Sequence, residues 1–119
     1  MNTTSQGQAG EQKAASYLID KGYLILARNY RGNGGEIDIV ACLRKTLVFV
    51  EVKTRAYHAY GGPLAAVTPS KQRKIAQAAH QYIKANGLKF DSIRFDVICV
   101  LPEKTEHIQN AFSPLRTTL

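Results

Sequence analysis

Two apolar runs interrupted by charge constrain this chain more than any other feature. Glu36-Ile37-Asp38-Ile39-Val40 and Phe49-Val50-Glu51-Val52-Lys53-Thr54-Arg55 stand a few residues apart. Branched and aromatic residues at this density read as β-strands, and an ionised side chain inside a strand is costly unless something nearby compensates it. Alternate residues of a strand share a face, so Glu36, Asp38 and Val40 point one way on the first run, and Phe49, Glu51 and Lys53 share a face of the second. A turn centred between Arg44 and Lys45 sets Asp38 opposite Glu51 and Glu36 opposite Lys53. Like charges opposed across a sheet cost roughly 0.2–1 kcal/mol, and a cation held between them reverses that sign. Arg-Lys is not a favoured two-residue hairpin turn. A three-residue loop would shift the pairing by one and separate the faces, whereas an even-length loop about the same centre keeps them together.

At 119 residues the chain is expected to form one domain over 1–112, followed by a loose tail over 113–119. No stretch approaches the roughly 20 apolar residues that a membrane helix needs. The polar N-terminal residues lack the apolar segment of a secretory signal, so a cytoplasmic location is expected. Cys42 and Cys99 sit in apolar contexts without CxxC spacing and read as buried free thiols. His58, His80 and His107 show no ligand spacing and receive no role. Sixteen Lys and Arg against nine Asp and Glu give a net charge of +7, which makes a polyanion partner a reasonable expectation for so small a domain. Against that background Glu36, Asp38 and Glu51 form a local acidic centre inside a basic shell, an arrangement suited to a cation facing a phosphate backbone.

A first helix is expected over Ser5–Lys21, stopped by Gly22, with Glu11, Ala14, Ala15 and Leu18 along its inward stripe. Glu11 could face water or stand beside the carboxylate pair. A strand over 23–29, a glycine-rich turn over 32–35 and the two charged strands, 36–43 and 46–54, follow. Residues 56–67 read as a loop near the acidic pair. Thr68-Pro69 then starts a second helix reaching Asn86, with Ile75, Ala78, Ala79, Tyr82 and Ile83 as its apolar stripe and Lys71 on the same side. Lys71, Arg73 and Lys74 crowd the start of that helix, where the dipole disfavours cations. Phosphate there would satisfy them, and a solvated basic turn is the alternative. A strong strand over 92–101, in which Asp96 is expected to pair with Arg94, and a weaker one near 107–112 complete the order. The expected fold is α/β, a mixed central sheet in the order αβββαβ with a helix on each side.

Asp38 followed by Glu51-Val52-Lys53 in this order of elements resembles the PD-(D/E)xK nuclease superfamily, which includes restriction endonucleases and Holliday-junction resolvases. Asn29-Tyr30-Arg31, Gly35-Glu36-Ile37-Asp38, Phe49 to Arg55 and Arg94-Phe95-Asp96-Val97 resemble, more narrowly, the small bacterial YraN family. Ile37 stands where the superfamily's first motif has proline. The resemblance implies a restriction endonuclease-like core and a metal-dependent DNA endonuclease, acting on branched or flap DNA. Asp38, Glu51 and the backbone carbonyl of Val52 would hold Mg²⁺ or Mn²⁺, with Glu11 a further ligand through water. Lys53 would be catalytic, Glu36 its partner behind the metal ligands, and Arg55, Lys71, Arg73 and Lys74 would contact nucleic acid. A homodimer is an option, since resolvase-like relatives cut two strands.

Two other readings remain. A nuclease-fold protein could bind nucleic acid without cutting it, as an accessory factor in repair or recombination. Alternatively, Glu51 and Lys53 are ordinary polar residues on a solvated sheet face, a reading that Leu47 and Phe49 on the same face argue against.

Overall fold

The computed structural model describes residues 3–56, 62, 67–86 and 89–114, of which 3–6 are described by backbone alone. Helix α1 spans Thr3–Asp20, strands β1 Leu24–Gly32, β2 Gly35–Leu43 and β3 Thr46–Thr54, helix α2 Pro69–Asn86, and strands β4 Ser92–Val100 and β5 Thr105–Phe112. One sheet runs in the order β1-β2-β3-β4-β5. Its first three strands form an antiparallel meander, β4 lies parallel to β3, and β5 returns antiparallel to β4. The expected αβββαβ order and mixed sheet are found.

Local chemistry sets the element ends. Gly22 takes φ 95, and the amides of Gly22 and Tyr23 return to the carbonyls of Ile19 and Leu18 at 3.0 and 2.9 Å, a Schellman closure. The first hairpin turns in two residues, shorter than the expected Gly32–Gly35 turn, because Asn33 and Gly34 both adopt positive φ, 52 and 82. That is the type I′ geometry matching strand twist. Thr68 Oγ1 accepts the Lys71 amide at 3.2 Å and caps α2.

The helices cover opposite faces. Ala14, Ala15 and Leu18 of α1 pack with Ile39, Ala41, Val48, Val50, Ile98 and Val100. On the other side Ile75, Ala78, Ala79 and Tyr82 of α2 pack with Val40, Leu47, Phe49, Phe95 and Val97. Strands covered on both sides lose their polar alternation, which is why β3 is buried from Leu47 through Glu51. Val67 joins the α2-side cluster. Most of the loop expected over 56–67, including His58, and the tail beyond Pro114 lie outside the described residues. Among the described residues no helix is long and apolar enough to cross a membrane.

Two close fits hold the layers in register. A Cβ on Gly35 would stand 2.0 Å from the Lys74 carbonyl oxygen, so the β1–β2 hairpin lies against the α2 backbone. On the α1 side Asp96, 0 % exposed, pins the outer strand. It receives Arg94 Nε and Nη2 at 2.9 and 2.8 Å, the Asn110 amide at 2.9 Å, and His107 Nε2 at 2.7 Å. Burial alone would raise its carboxyl, yet the hydrogen bonds from His107, Arg94 and Asn110 hold it below the ordinary range. The β4–β5 register shifts between Phe95 and Val97, and Asn110 turns to φ 53 to reach the carboxylate. The Asp96–Arg94 pair matches expectation. His107, given no role on spacing, belongs to the same network.

Gly35→Ala should therefore destabilise the fold by about 1–3 kcal/mol in urea unfolding, because backbone rather than a movable side chain opposes the methyl. Gly7→Ala, where a Cβ would meet nothing within 4 Å, should stabilise by up to about 1 kcal/mol. Asp96→Ala takes the acceptor from the half-buried Arg94 guanidinium and from the Asn110 amide, and a loss of about 1.5–3 kcal/mol is expected in the same measurement.

Candidate active site

The β2–β3 ladder runs from Leu43↔Thr46 to Ile39↔Val50 and goes no further. This is the register expected from a turn at Arg44-Lys45, and Arg44 takes φ 55 there. β3, by contrast, pairs with β4 along all nine residues from Thr46 to Thr54. The four residues from Glu51 to Thr54 thus have a strand neighbour on one side only. Asp38 fills the first gap: its Oδ2 accepts the Val52 amide at 2.7 Å, a bond a continuing β2 backbone would otherwise supply. Alternation also breaks here, for Ile37 packs in the α2-side cluster and Ile39 in the α1-side cluster.

Glu51 lies at the same place, 7 % exposed, with its Oε1 2.9 Å from Lys71 Nζ and 3.3 Å from Lys53 Nζ. Lys53 arrives from the same face of β3, and Lys71 from the first turn of α2. The α1 side contributes Glu11. A Cβ on Gly10 would stand 2.0 Å from Thr54 Oγ1, so the helix approaches the end of β3 closely at this point. Glu11 is half-buried, and its Oε1 is buried with no hydrogen-bond partner.

Electrostatics follow from this crowding. Desolvation and the Glu51 charge, aided by Glu11 and a hydrogen bond shared with Glu51, push the Asp38 carboxyl up to about 7 against the Val52 amide. Burial likewise raises Glu11, as do the Glu36 and Glu51 charges, against a hydrogen bond with Asn29 and the charge of Arg28. Burial and the neighbouring Lys71 lower the Lys53 ammonium, with Glu51 opposing. For Lys71, desolvation is outweighed by its hydrogen bonds to Lys53 and Glu51, and its pKa rises. Two carboxyls, Asp38 and Glu51, thus meet the side chains of Lys53 and Lys71 from β2, β3 and α2, with Glu11 of α1 near them.

The remaining candidates stand further out. Glu36 is exposed and pairs with Arg31 across the first hairpin, Nε to Oε2 3.9 Å. Its cross-strand neighbour in the β1–β2 ladder is likewise Arg31, and the β2–β3 ladder ends before it could face Lys53. Arg55 is half-buried, donating to its neighbour's carbonyl, Thr54 O, at 3.0 Å. Arg73 and Lys74 are exposed on α2. Among the described residues, no three His, Cys, Asp or Glu side chains draw together into a closed metal cage. The donor set that is present, Asp38 and Glu51 with Glu11 near them, still suits a hard cation that keeps most of its waters and takes one or two carboxylates. The partnerless Glu11 oxygen fits a water of such a shell.

A family model described as "Uncharacterised protein family UPF0102" matches residues 10–100, which run from within α1 to the end of β4. The chain belongs to this family. A UPF0102 protein of Chlorobium phaeobacteroides is 47% identical over 116 residues, covering 89% of this chain and 92% of its own. One from Trichlorobacter lovleyi is 53% identical over 112 residues, 89% of this chain and 88% of its own. A third, from Clostridioides difficile, is 45% identical over 114 residues, with 94% and 100% covered. UPF0102 is the YraN family whose motifs the sequence resembles.

The pH dependence of stability follows from Asp38. Its folded carboxyl titrates near 7 against an ordinary 3.8, so folding favours the protonated form. The stability this contributes is complete below about pH 4 and lost as pH rises through 7. Asp38→Asn keeps an acceptor for the Val52 amide without the charge. In chelator-containing buffer it should raise stability at pH 8 by on the order of 4 kcal/mol at about 1.4 kcal/mol per pKa unit, a gain that fades toward pH 4. Thermal melts across that range measure it.

Proposed function

We propose that this UPF0102 protein is a divalent-cation-dependent DNA endonuclease, with Asp38, Glu51 and Lys53 as its catalytic residues. The observation that carries this reading is the Asp38 carboxyl, pressed against Glu51 at the point where β2 leaves β3. A fold that needed only stability could place a neutral amide there, which accepts the Val52 N–H without a charge. A carboxyl held above its ordinary range by burial and by a second carboxylate beside it is a usual mark of a functional centre.

Asp38 and Glu51 would hold Mg²⁺ or Mn²⁺ with the Val52 carbonyl, and Glu11 would reach the ion through water. Bound there, the ion supplies charge neutralisation on the phosphate and a more acidic water. Lys53, on the same strand face as Glu51, orients the attacking water or stabilises charge on the pentavalent phosphorus. Lys71, whose ammonium touches Glu51, ties the phosphate to the carboxylate centre. Branched and flap DNA are the substrates of this reading, in keeping with the resolvase-like resemblance.

One observation favours a second reading, a nuclease-fold protein that binds nucleic acid without cutting. Glu51 is engaged by two lysines, and the carboxylates do not close into a cage. Calorimetry separates the two: Mn²⁺ binding abolished by Asp38→Ala supports the nuclease, whereas salt-sensitive DNA binding without cation binding supports the accessory protein.

The decisive experiment is a cleavage screen over single-stranded, duplex, flap and four-way-junction DNA with Mn²⁺ and Mg²⁺. Cleavage is expected from the wild type, and a fall of about 10²-fold or more from each of Asp38→Ala, Glu51→Ala and Lys53→Ala. Cleavage that survives all three substitutions would trace to a contaminant and end the assignment.

A further inference from the structure

Beside the carboxylate centre runs a groove of about 390 Å³ between the tip of the β1–β2 hairpin and the first two turns of α2. Among the described residues three cations line it, Arg31 from β1 and Lys71 and Lys74 from α2. Its hairpin wall is backbone, from Gly32, Gly34 and Gly35. The wall is built rather than incidental. Gly35 abuts the Lys74 carbonyl, Gly32 would bring a Cβ within 3.0 Å of the Gln81 side chain, and Gly34 turns at φ 82 with nothing within 4 Å of a Cβ. Asn33 Nδ2 donates to the Gln77 carbonyl at 3.4 Å, fastening the tip to α2. One carboxylate, Glu36, also lines the groove, and it is paired with Arg31.

We propose that this groove holds one DNA strand by its phosphates, through Arg31 and Lys74, and leads it past Lys71 to the carboxylate centre without reading its bases. The inference rests on the nucleic-acid part of the proposed function and adds the path that the strand takes. Glycines remove side chains from the wall, so a phosphodiester can approach the backbone closely. Among the described residues no aromatic side chain lines the groove, and single-strand sites that grip bases do so chiefly by aromatic stacking. Cations without stacking platforms position a strand and do not specify its sequence. Lys71 belongs to both places, lining the groove while its Nζ sits 2.9 Å from Glu51 Oε1. A phosphate in the groove is thereby within one side chain of the centre.

The test uses the full chain in EDTA, with fluorescein-labelled dT20 and a mixed-sequence 20-mer as probes, and anisotropy titrations between 25 and 200 mM KCl. For Arg31→Ala/Lys74→Ala the dissociation constant should rise about tenfold or more at low salt. The slope of log K against log salt should flatten by about 1.4, two phosphates at about 0.7 each for a single strand. Arg31→Lys/Lys74→Arg, which keeps both charges, should restore the slope. Lys13→Ala/Lys45→Ala, on exposed positions of α1 and the β2–β3 turn, should leave it within experimental error. The two probes should bind within about threefold of each other. If the wild type binds with a steep slope that Arg31→Ala/Lys74→Ala leaves unchanged, the groove assignment is overturned while the nuclease reading stands on its cleavage assay. A wild type that neither binds nor cuts overturns both, and a strong preference between the probes overturns the claim that bases go unread.

Discussion

The structure turns on a mismatch in pairing along β3. One neighbour, β4, accompanies it over its full length, while the other, β2, departs after Ile39↔Val50. A buried strand cannot leave its amides unpaired at that point, and the Val52 amide finds its acceptor in the Asp38 side chain. Replacing a backbone carbonyl by a carboxylate frees the space beyond for other side chains. It also commits the fold to an ionisable group in a poorly solvated place. Glu11, Glu51, Lys53 and Lys71 gather about that carboxylate.

Much of this was legible in the amino-acid order, and the reasons differ by residue. The placement of Asp38 beside Glu51 follows from the period of a strand and one turn centre, both local quantities, and the ladder obeys them. Helix ends were readable because Gly22, Thr68 and Pro69 carry stop and start chemistry within a few positions. The Asn33-Gly34 turn was present as a favoured dipeptide, but its neighbouring glycines made the turn look longer than it is. Gly35 is glycine because the α2 backbone leaves no room for more, which is a long-range fact.

What could not be read was contact between elements far apart in the chain. Glu51 and Lys71 meet only because the crossover helix returns with its first turn over the end of β3. His107 reaches Asp96 across a shifted register, and no spacing rule anticipates a shift. Glu36 departed from its expected neighbour for the converse reason: the β2–β3 register holds, but the pairing ends before reaching it. Local period predicts which residues face each other and says nothing about where two strands cease to be adjacent.

The close approach of Gly10 to Thr54 has a consequence for how the centre comes into being. Glu11 is delivered by the first element of the chain, Asp38 and Glu51 by the middle, and Lys71 by a helix that docks from the opposite face. No single element carries the set: the β2–β3 hairpin brings Asp38 and Glu51 together locally, and Glu11 and Lys71 join them only once both helices have settled. The arrangement acts as a coincidence detector for completed folding: the full set of charges comes together only where the sheet and both helices have met.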